Sequence, residues 1–296
     1  MSLPNFMCIG AAKSGTTTLY DILSQHPDIF TPSFKEPHFF DIPINYKKGI
    51  DWYKKEYFNS TKHPLIGEFT PSYFFEKKSP ERIFNNLGKE MKFIVILRHP
   101  VDRAYSHYLH SVRDAHEELS FLEALNNEDN RTKRFLDDGN YLAYLRTSYY
   151  QQSLYGEMIE RYLQYFSINN FCFIHFEKEF VLKREETIKK VLKFLNVTYD
   201  SININIHLKS NTASKPISNR LKRIMKASGW WRVLLKIIIP SLKQRQIIKN
   251  RIQRINITKF TPDVLQEDLK KEIFCKYFAK DTQKIEDILK REMSWE

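Results

Sequence analysis

The stretch that decides the fold of this chain reads Phe6-Met7-Cys8-Ile9-Gly10-Ala11-Ala12-Lys13-Ser14-Gly15-Thr16-Thr17-Thr18. Its first four residues are apolar and predict a buried strand, and the residues after Thr18 place apolar side chains at helical spacing. A strand, a glycine-bearing loop and a helix N-terminus direct free backbone N–H groups toward one point, where they can bind a phosphate. The stretch therefore predicts an α/β fold with an anion site directly after its first strand.

This loop differs from the Walker P-loop in the position of its lysine. In the Walker form the lysine directly follows the second glycine, whereas Lys13 precedes Gly15. Walker loops hold a phosphate chain together with Mg²⁺, but a lysine, one glycine and a run of threonines suit a smaller oxyanion. No obvious Mg²⁺ carboxylate follows the next predicted strand, so we expect no metal. An ordinary strand-to-helix turn could have the same residues, so the interpretation needs a second site.

A second candidate site follows residues 92–97, which are mostly apolar and predict a central parallel strand. Arg98 stands at the carboxyl end of this strand, where open α/β sheets bind ligands. Ser106 follows about two turns into the next predicted helix. A guanidinium offers a planar fork to phosphate oxygens, and a serine hydroxyl adds a donor without charge. We therefore expect Arg98 and Ser106 to bind one anion, on a helix that begins near Pro100.

The rest of the chain alternates predicted strands and helices, which implies a parallel sheet with a nucleotide at its carboxyl edge. The predicted strands are residues 5–10, 65–68, 92–97 and 171–176. The predicted helices are residues 16–25, 101–113, 121–125, 150–166 and 185–195, together with one that begins at Pro80 and a C-terminal helical pair that begins at Thr261-Pro262.

Four motifs in one order resemble those of the sulfotransferases that use 3′-phosphoadenosine 5′-phosphosulfate (PAPS). The motifs are Ala12-Lys13-Ser14-Gly15-Thr16-Thr17, Lys35-Glu36-Pro37-His38-Phe39-Phe40, Gly49-Ile50-Asp51-Trp52-Tyr53 and Leu97-Arg98-His99-Pro100-Val101-Asp102-Arg103-Ala104-Tyr105-Ser106. Within this family, the resemblance is closest to the branch that contains the heparan sulfate N- and 3-O-sulfotransferases and their bacterial relatives. The later chain resembles the family more loosely, through residues 150–154, 171–177 and 210–216.

The resemblance implies a P-loop-like three-layer fold, in which helices flank a central parallel sheet. It also implies transfer of a sulfuryl group from PAPS to an acceptor hydroxyl or amine, which leaves 3′-phosphoadenosine 5′-phosphate (PAP). In the family, the first loop holds the 5′-phosphosulfate, and a later basic loop closes over the nucleotide. The cofactor-binding residues implied for this chain are Lys13, Ser14, Gly15, Thr16, Thr17, Thr18, Arg98, Ser106, Tyr150, Asn211 and Lys215.

An acceptor hydroxyl must lose a proton during the transfer, so a base has to lie within hydrogen-bond reach of it. The resemblance implies that Glu36 is this base, because the heparan sulfate branch has its proposed base just before the Phe-Phe pair. His38 is the alternative, because its unperturbed pKa suits proton transfer. Lys13 is the natural group to stabilise charge on the leaving oxygen. The candidate catalytic residues are therefore Lys13, Glu36 and His38.

The segment Gly67-Glu68-Phe69-Thr70-Pro71-Ser72-Tyr73-Phe74 departs from the family pattern. Where this chain has Phe69, the family segment has a lysine that lies near the reaction centre. Either Lys35 supplies the missing cation from the neighbouring loop, or the acceptor differs from an acidic glycosaminoglycan. Glu68 can bind the acceptor, or it can orient Lys13 or the loop. The candidate substrate-binding residues are Lys35, Glu36, His38 and Glu68.

The net charge of +12 is concentrated in one segment. Residues 201–262 contain 14 Lys and Arg and no Asp or Glu, whereas the rest of the chain has 33 basic and 35 acidic residues. The segment predicts two basic amphipathic helices, within about residues 217–256 and broken at Pro240. Such helices can pack on the sheet, or residues 209–259 can bind an anionic membrane surface or a polyanion. Nucleic acid is not expected as a partner, because no recognised nucleic-acid module accompanies the charge.

Length and composition predict one α/β domain over residues 1–296, which the resemblance identifies as a sulfotransferase domain, with the basic helices as an elaboration. Its 3 cysteines are widely spaced and predict reduced thiols. No secretory signal and no apolar stretch of ~18 residues is visible. We therefore expect a cytoplasmic enzyme, or one peripheral at the inner membrane. The resemblance implies that the acceptor is a glycan or a small molecule. A Mg²⁺-dependent nucleotide or sugar kinase and a non-catalytic binder of polyanions or membranes stay open as alternatives.

Overall fold

The central sheet has five parallel strands in the order β2-β3-β1-β4-β5. This computed structural model describes residues 3–58, 63–198, 204–208, 214–216, 257–259 and 264–295. The strands of the sheet are β1 (Phe6–Gly10), β2 (Ile29–Phe30), β3 (Leu65–Phe69), β4 (Lys92–Leu97) and β5 (Phe171–His175). Because all five run the same way, their carboxyl ends meet at one edge of the sheet.

Helices connect the strands and cover both faces of the sheet. In the first half of the chain they are α1 (Thr16–Leu23), α2 (Pro43–Tyr46), α3 (Ile50–Tyr57), α4 (Ser79–Leu87), α5 (Pro100–Arg113) and α6 (Phe121–Asn126). Later helices are α7 (Glu128–Asp137), α8 (Tyr141–Thr147), α9 (Tyr155–Leu163), α10 (Arg184–Leu195), α11 (Glu267–Tyr277) and α12 (Ala279–Leu289). Short 3₁₀ turns span Pro71–Tyr73, Gln151–Ser153 and Ile168–Asn170, and a π-helical turn spans Phe176–Val181.

The core lies on both faces of the sheet, as a parallel sheet covered by helices requires. Alternate side chains of β1 point to opposite faces, so that Met7 and Ile9 join one apolar cluster while Phe6 and Cys8 join the other. All five residues of β1 are buried. The expected fold is thus confirmed as an α/β fold with a central parallel sheet between helices.

Two sequence expectations about the elements are wrong. The helix expected over residues 150–166 is divided into the 3₁₀ turn Gln151–Ser153 and α9. The physical reason is a tertiary contact, because the carboxylate of Asp281 accepts hydrogen bonds from the N–H groups of Gly156 and Glu157 at 2.9 and 3.1 Å and so begins a new helix after Leu154. The sequence reading also omitted β2, α2, α3, α7 and α8, which are short or polar elements with weak periodicity.

The basic segment, residues 201–262, is described in three places, residues 204–208, 214–216 and 257–259. Strands β6 (Ser214–Pro216) and β7 (Ile257–Lys259) pair antiparallel, with Lys215 opposite Thr258, and the backbone of β6 lies beside α5. The two basic helices expected within residues 217–256 lie outside the described residues. Of the helices that the structure describes, none has the length and hydropathy to cross a bilayer.

Candidate active site

The loop between β1 and α1, residues 10–18, forms a compact turn at the carboxyl edge of the sheet, and we call it the phosphate loop. The Ala11 N–H donates to the carbonyl of Ile96 on β4 at 2.9 Å, which ties the loop to the neighbouring strand. Gly15 has φ 85° and directly precedes α1. A Cβ at this position would lie 2.9 Å from the ring of Phe180, so both conformation and space call for glycine.

Lys13 also has a left-handed backbone, with φ 70°. Burial, followed by the charge of Arg113, lowers the pKa of Lys13 from its ordinary value of 10.5 to about 8. The charge of Arg98 lowers it further, against Asp114 and Glu36, which raise it. An ammonium held among guanidinium groups is stabilised by a bound anion, so the electrostatics favour a phosphate or sulfate at Lys13.

Arg98 follows β4 and joins its loop to the phosphate loop. Its Nη1 donates to the Lys13 carbonyl at 3.0 Å, and its guanidinium lies 5.2 Å from the ring centre of Phe176. Its Nε is buried and has no hydrogen-bond partner among the described residues, and the same is true of the Ser14 hydroxyl. Buried donors normally have partners. Each of these two donors is therefore available to hydrogen-bond an anionic ligand.

The other predicted nucleotide-binding residues are spread around this centre. Thr16 and Thr18 are buried in the first turns of α1, and Thr17 is half-buried. Ser106 lies on α5, and this helix packs beside the backbone of β6, which contains Lys215. The side chain of Lys215 and all of Asn211 lie outside the described residues.

Tyr150 is the predicted nucleotide-binding residue with the fullest set of protein contacts. Its hydroxyl donates to the carboxylate of Asp129, and its ring centre lies 5.0 Å from that of Tyr277. These contacts hold its side chain between α7 and α11.

A second loop, residues 35–41, faces the phosphate loop, and we call it the acceptor loop. The Glu36 N–H donates to the carbonyl of Phe69 at the end of β3, the strand that pairs with β1, and the charge of Glu36 raises the pKa of Lys13. The Lys35 ammonium donates to Glu36 Oε1 at 2.6 Å, while Glu36 Oε2 lies 3.8 Å from His38 Nε2. Glu36 and His38 both have left-handed backbones, with φ 64° and 53°. The three residues predicted from the sequence are thus brought together.

The sequence reading missed two side chains that contact His38, those of Asp41 and Ser72. The His38 Nδ1–H donates to Asp41 Oδ2 at 2.7 Å, and the Ser72 hydroxyl donates to the same oxygen at 2.5 Å. Asp41 is fully buried. A carboxylate three residues after a candidate histidine was a signal that could have indicated Asp41. No local pattern indicates Ser72, which comes from the 3₁₀ turn after β3.

The charge of His38 follows from these neighbours. Burial lowers the pKa of His38, but the hydrogen bond and charge of Asp41 raise it, as do the charges of Glu36 and Glu68. The result is a pKa above the ordinary 6.5. Since the Nδ1–H donates to Asp41, Nε2 is the ring nitrogen on the side of Glu36.

Remote residues hold the backbone of the acceptor loop. The Tyr73 hydroxyl accepts hydrogen bonds from the N–H groups of Phe39 and Phe40 at 2.9 and 3.3 Å. The Glu36 N–H donates to the Phe69 carbonyl at 3.2 Å. Further donors to the loop carbonyls are Asn45 Nδ2 to His38 at 3.0 Å and Arg82 Nη1 to Phe40 at 2.6 Å.

Glu68 lies behind the acceptor loop. Its carboxylate is fully buried and accepts hydrogen bonds from the hydroxyls of Tyr53 and Thr70. Burial raises the pKa of Glu68 to about 7, against the hydrogen bonds, which lower it. The neighbouring Phe69 is buried and packs edge-on against Tyr20, with ring centres 5.4 Å apart. Position 69 therefore brings no cation to the site.

The site combines a phosphate loop after β1, an arginine after β4 and an acceptor loop in which a carboxylate lies beside an imidazole. This combination is typical of one class of enzyme. It is a group-transfer enzyme of P-loop-like fold that takes an anionic donor. Comparison with known families agrees, because the profile of the sulfotransferase domain matches residues 3–230. The chain belongs to the sulfotransferase family. Members of this family take their sulfuryl group from PAPS.

Similar proteins include heparan sulfate glucosamine 3-O-sulfotransferases and a bacterial sulfotransferase of known structure. Mouse heparan sulfate glucosamine 3-O-sulfotransferase 5 is 32% identical over 197 residues, which cover 66% of this chain and 54% of that protein. The mouse heparan sulfate glucosamine 3-O-sulfotransferase 3B1 is 34% identical over 176 residues, which cover 60% of this chain and 42% of that protein. The chain thus spans about half the length of these curated relatives. A crystal structure of a sulfotransferase from Alicyclobacillus acidocaldarius aligns with a TM-score of 0.69 and 26% identity, covering 100% of this chain and 99% of that one.

Proposed function

We propose that this chain transfers a sulfuryl group from PAPS to a hydroxyl or amine of a carbohydrate. The observation that carries the proposal is the contact of the Arg98 guanidinium with the Lys13 carbonyl at the carboxyl edge of the sheet, with the charge of Glu36 acting on Lys13. The heparan sulfate enzymes among the similar proteins support a glycan acceptor. The kinase alternative is not favoured, because the matched family transfers sulfuryl groups.

The residues of this chain fit the donor. The phosphate loop offers the Lys13 ammonium, the hydroxyls of Ser14 and Thr16–Thr18 and the N–H groups at the start of α1, all suited to the oxygens of a 5′-phosphosulfate. Arg98, with its open Nε, and Ser106 are assigned to the 3′-phosphate. Tyr150, Asn211 and Lys215 stay proposed contacts to the nucleotide.

The chemistry asked of the protein is positioning, charge stabilisation and one proton transfer. Glu36 Oε2 accepts the proton of the acceptor hydroxyl as the acceptor oxygen forms its bond to sulfur. The bond between sulfur and the bridging oxygen breaks, and its electron pair stays on that oxygen. Lys13 stabilises the charge that develops there. Because Lys35 binds Glu36 Oε1, the other carboxylate oxygen is left to act as the base.

Lys35 and Glu68 have different proposed roles. Lys35 is only 16% exposed, and it supplies the cation that Phe69 does not. Its ammonium orients Glu36 and can contact an anionic group of the donor or acceptor. Glu68 was also expected to bind substrate, but its buried contacts to Tyr53 and Thr70 support the other expectation, that it orients the loop. The predicted membrane or polyanion surface over residues 209–259 receives no support from the described residues.

The testing experiment is calorimetric titration with PAP in EDTA, comparing the wild type with Arg98→Ala and Arg98→Lys. We expect binding by the wild type without metal and a loss of about 10² in affinity for Arg98→Ala, because a bidentate charged contact is removed. Arg98→Lys should lose less, since it keeps the charge but not the fork. Sulfate transfer to heparan oligosaccharides and to small phenols then defines the acceptor. Mg²⁺-dependent binding of ATP, with no binding of PAP, would overturn the proposal.

A further inference from the structure

Residues 291–295 lie across the carboxyl ends of β4 and β5, and we call them the clasp. The Met293 N–H donates to Glu286 Oε1 of α12 at 2.7 Å, and Arg291 Nη1 lies 3.6 Å from Glu179 Oε2. Met293 is fully buried and Trp295 is 5% exposed. The clasp is therefore built into the edge of the sheet where the candidate active site lies.

One side of the clasp contacts His175, the last residue of β5. The Lys178 N–H donates to His175 Nδ1 at 3.3 Å, so the other nitrogen carries the proton and donates to the Met293 carbonyl at 2.9 Å. His175 Nδ1 also lies 3.3 Å from Glu177 Oε2, and because both atoms are acceptors in this tautomer, the two side chains are in contact there without a hydrogen bond. The second oxygen of Glu177, Oε1, accepts a hydrogen bond from the His99 N–H at 3.1 Å. Contacts thus run from Met293 to the residue after Arg98.

The other side of the clasp contacts the carbonyl of Arg98 through one intermediate. The ring centre of Trp295 lies 5.9 Å from that of Tyr155 and 5.8 Å from that of His175. Tyr155 is fully buried, and its hydroxyl donates to the Arg98 carbonyl at 3.1 Å. The backbone of Trp295 also lies beside His99.

These contacts converge on a single peptide unit. The Arg98 carbonyl and the His99 N–H belong to the same planar peptide bond, and Tyr155 fixes one while Glu177 fixes the other. Both of these residues are in turn connected to the clasp. The direction in which the Arg98 side chain leaves the backbone depends on the orientation of this unit.

We propose that Trp295 is a positioning residue for nucleotide binding, which acts through Tyr155 and the Arg98–His99 peptide unit. This inference rests on the proposed function, because it takes Arg98 as the residue that binds the 3′-phosphate. Trp295 contributes through packing, since its indole Nε1 is buried without a hydrogen-bond partner among the described residues. A positional error at Arg98 weakens its contact to a phosphate without removing its charge.

The test compares two ligands that differ in the 3′-phosphate alone, PAP and adenosine 5′-monophosphate. Trp295→Ala should weaken PAP binding about tenfold and change the affinity for the monophosphate by less than about twofold. Trp295→Phe keeps an aromatic ring and should bind PAP nearly as the wild type does. Tyr155→Phe removes only the hydroxyl and should lower PAP affinity about threefold, with the same selectivity. This milder variant keeps the test decisive if Trp295→Ala does not fold.

Equal weakening of both ligands, or no weakening of PAP, would overturn the clasp inference. Arg98→Ala distinguishes this from a failure of the proposed function. If Arg98→Ala removes the preference for PAP over the monophosphate, the 3′-phosphate assignment is sound. The Trp295 variants then test the clasp inference by itself. If Arg98→Ala keeps that preference, the assignment is wrong, and the clasp inference falls with it.

Discussion

The phosphate loop and the acceptor loop present the same backbone feature but are held in different ways. Each places non-glycine residues at positive φ, Lys13 in the first loop and Glu36 and His38 in the second, which costs of order 1 kcal/mol or more per residue. The phosphate loop lies between β1 and α1 and is tied from outside to β4 and the residue after it, through the Ile96 carbonyl and the Arg98 guanidinium. The acceptor loop is held by Phe69, Tyr73, Asn45 and Arg82, from other parts of the chain.

This difference separates donor binding from acceptor activation. In the described part of the chain, the distant side chain that donates to the phosphate-loop backbone is that of Arg98, which is itself a donor-binding candidate, so changes around the acceptor loop leave the shape of the phosphate loop in place. A loop held by remote hydrogen bonds depends on each of them, because an unpaired buried N–H costs about 1–3 kcal/mol. We therefore expect substitutions around the two loops to affect separate steps.

The largest effect is expected for Lys13→Ala. Transfer should fall about 10³-fold, because the charge that stabilises the leaving oxygen is lost. Single-turnover rates at saturating PAPS measure this, with Lys13→Arg as the control that keeps a charge. A fall of less than tenfold would show that another cation serves the leaving oxygen.

The next effect concerns Glu36→Gln in the acceptor loop. We expect kcat to fall about 10²-fold, toward the lower end of the range for a general base, because His38 lies beside it. PAP affinity from calorimetry should change less than twofold. The exposed Glu56→Gln on α3 is the matched control. An equal loss of PAP affinity would contradict the separation of the two loops.

Tyr73→Phe sharpens the comparison, because it changes the support of the acceptor loop and no candidate catalytic group. Without the hydroxyl, the N–H groups of Phe39 and Phe40 lose their acceptor. We expect kcat/KM for the acceptor to fall about tenfold and PAP affinity to stay unchanged. Tyr165→Phe, next to Phe84, is the control. Unchanged acceptor kinetics would mean that other contacts suffice to hold the loop.

The smallest effect is the pH dependence of donor capture. The pKa of Lys13 is lowered to about 8 in the free protein, and the protonated form binds the anion. kcat/KM for PAPS should therefore be constant below this value and decrease as the pH rises through about 8. In Lys13→Arg the decrease should disappear, because a guanidinium stays charged. A profile identical in both proteins would assign the decrease to another group.

The site could be predicted from the sequence to the extent that its parts are local. Lys13, Gly15 and Arg98 each follow an apolar strand, and parallel strands bring their carboxyl ends together. Glu36 and His38 were found through a motif, and the structure places them beside Lys35. Ser72 and Tyr73 could not be assigned, because their contacts cross more than 30 positions of sequence. The break in the expected helix over residues 150–166 has a similar cause, the distant carboxylate of Asp281.

By itself, the sequence determined the α/β class, the phosphate loop and the identity of the charged groups, because hydrophobic periodicity and turn chemistry act over a few residues. The tertiary structure alone decided how those groups are presented. It buried Asp41 behind His38, placed Lys35 on Glu36 and fixed the peptide unit after Arg98 between Tyr155 and Glu177. These are contacts between distant segments, whose geometry exists only after the sheet has formed and the helices have packed on it.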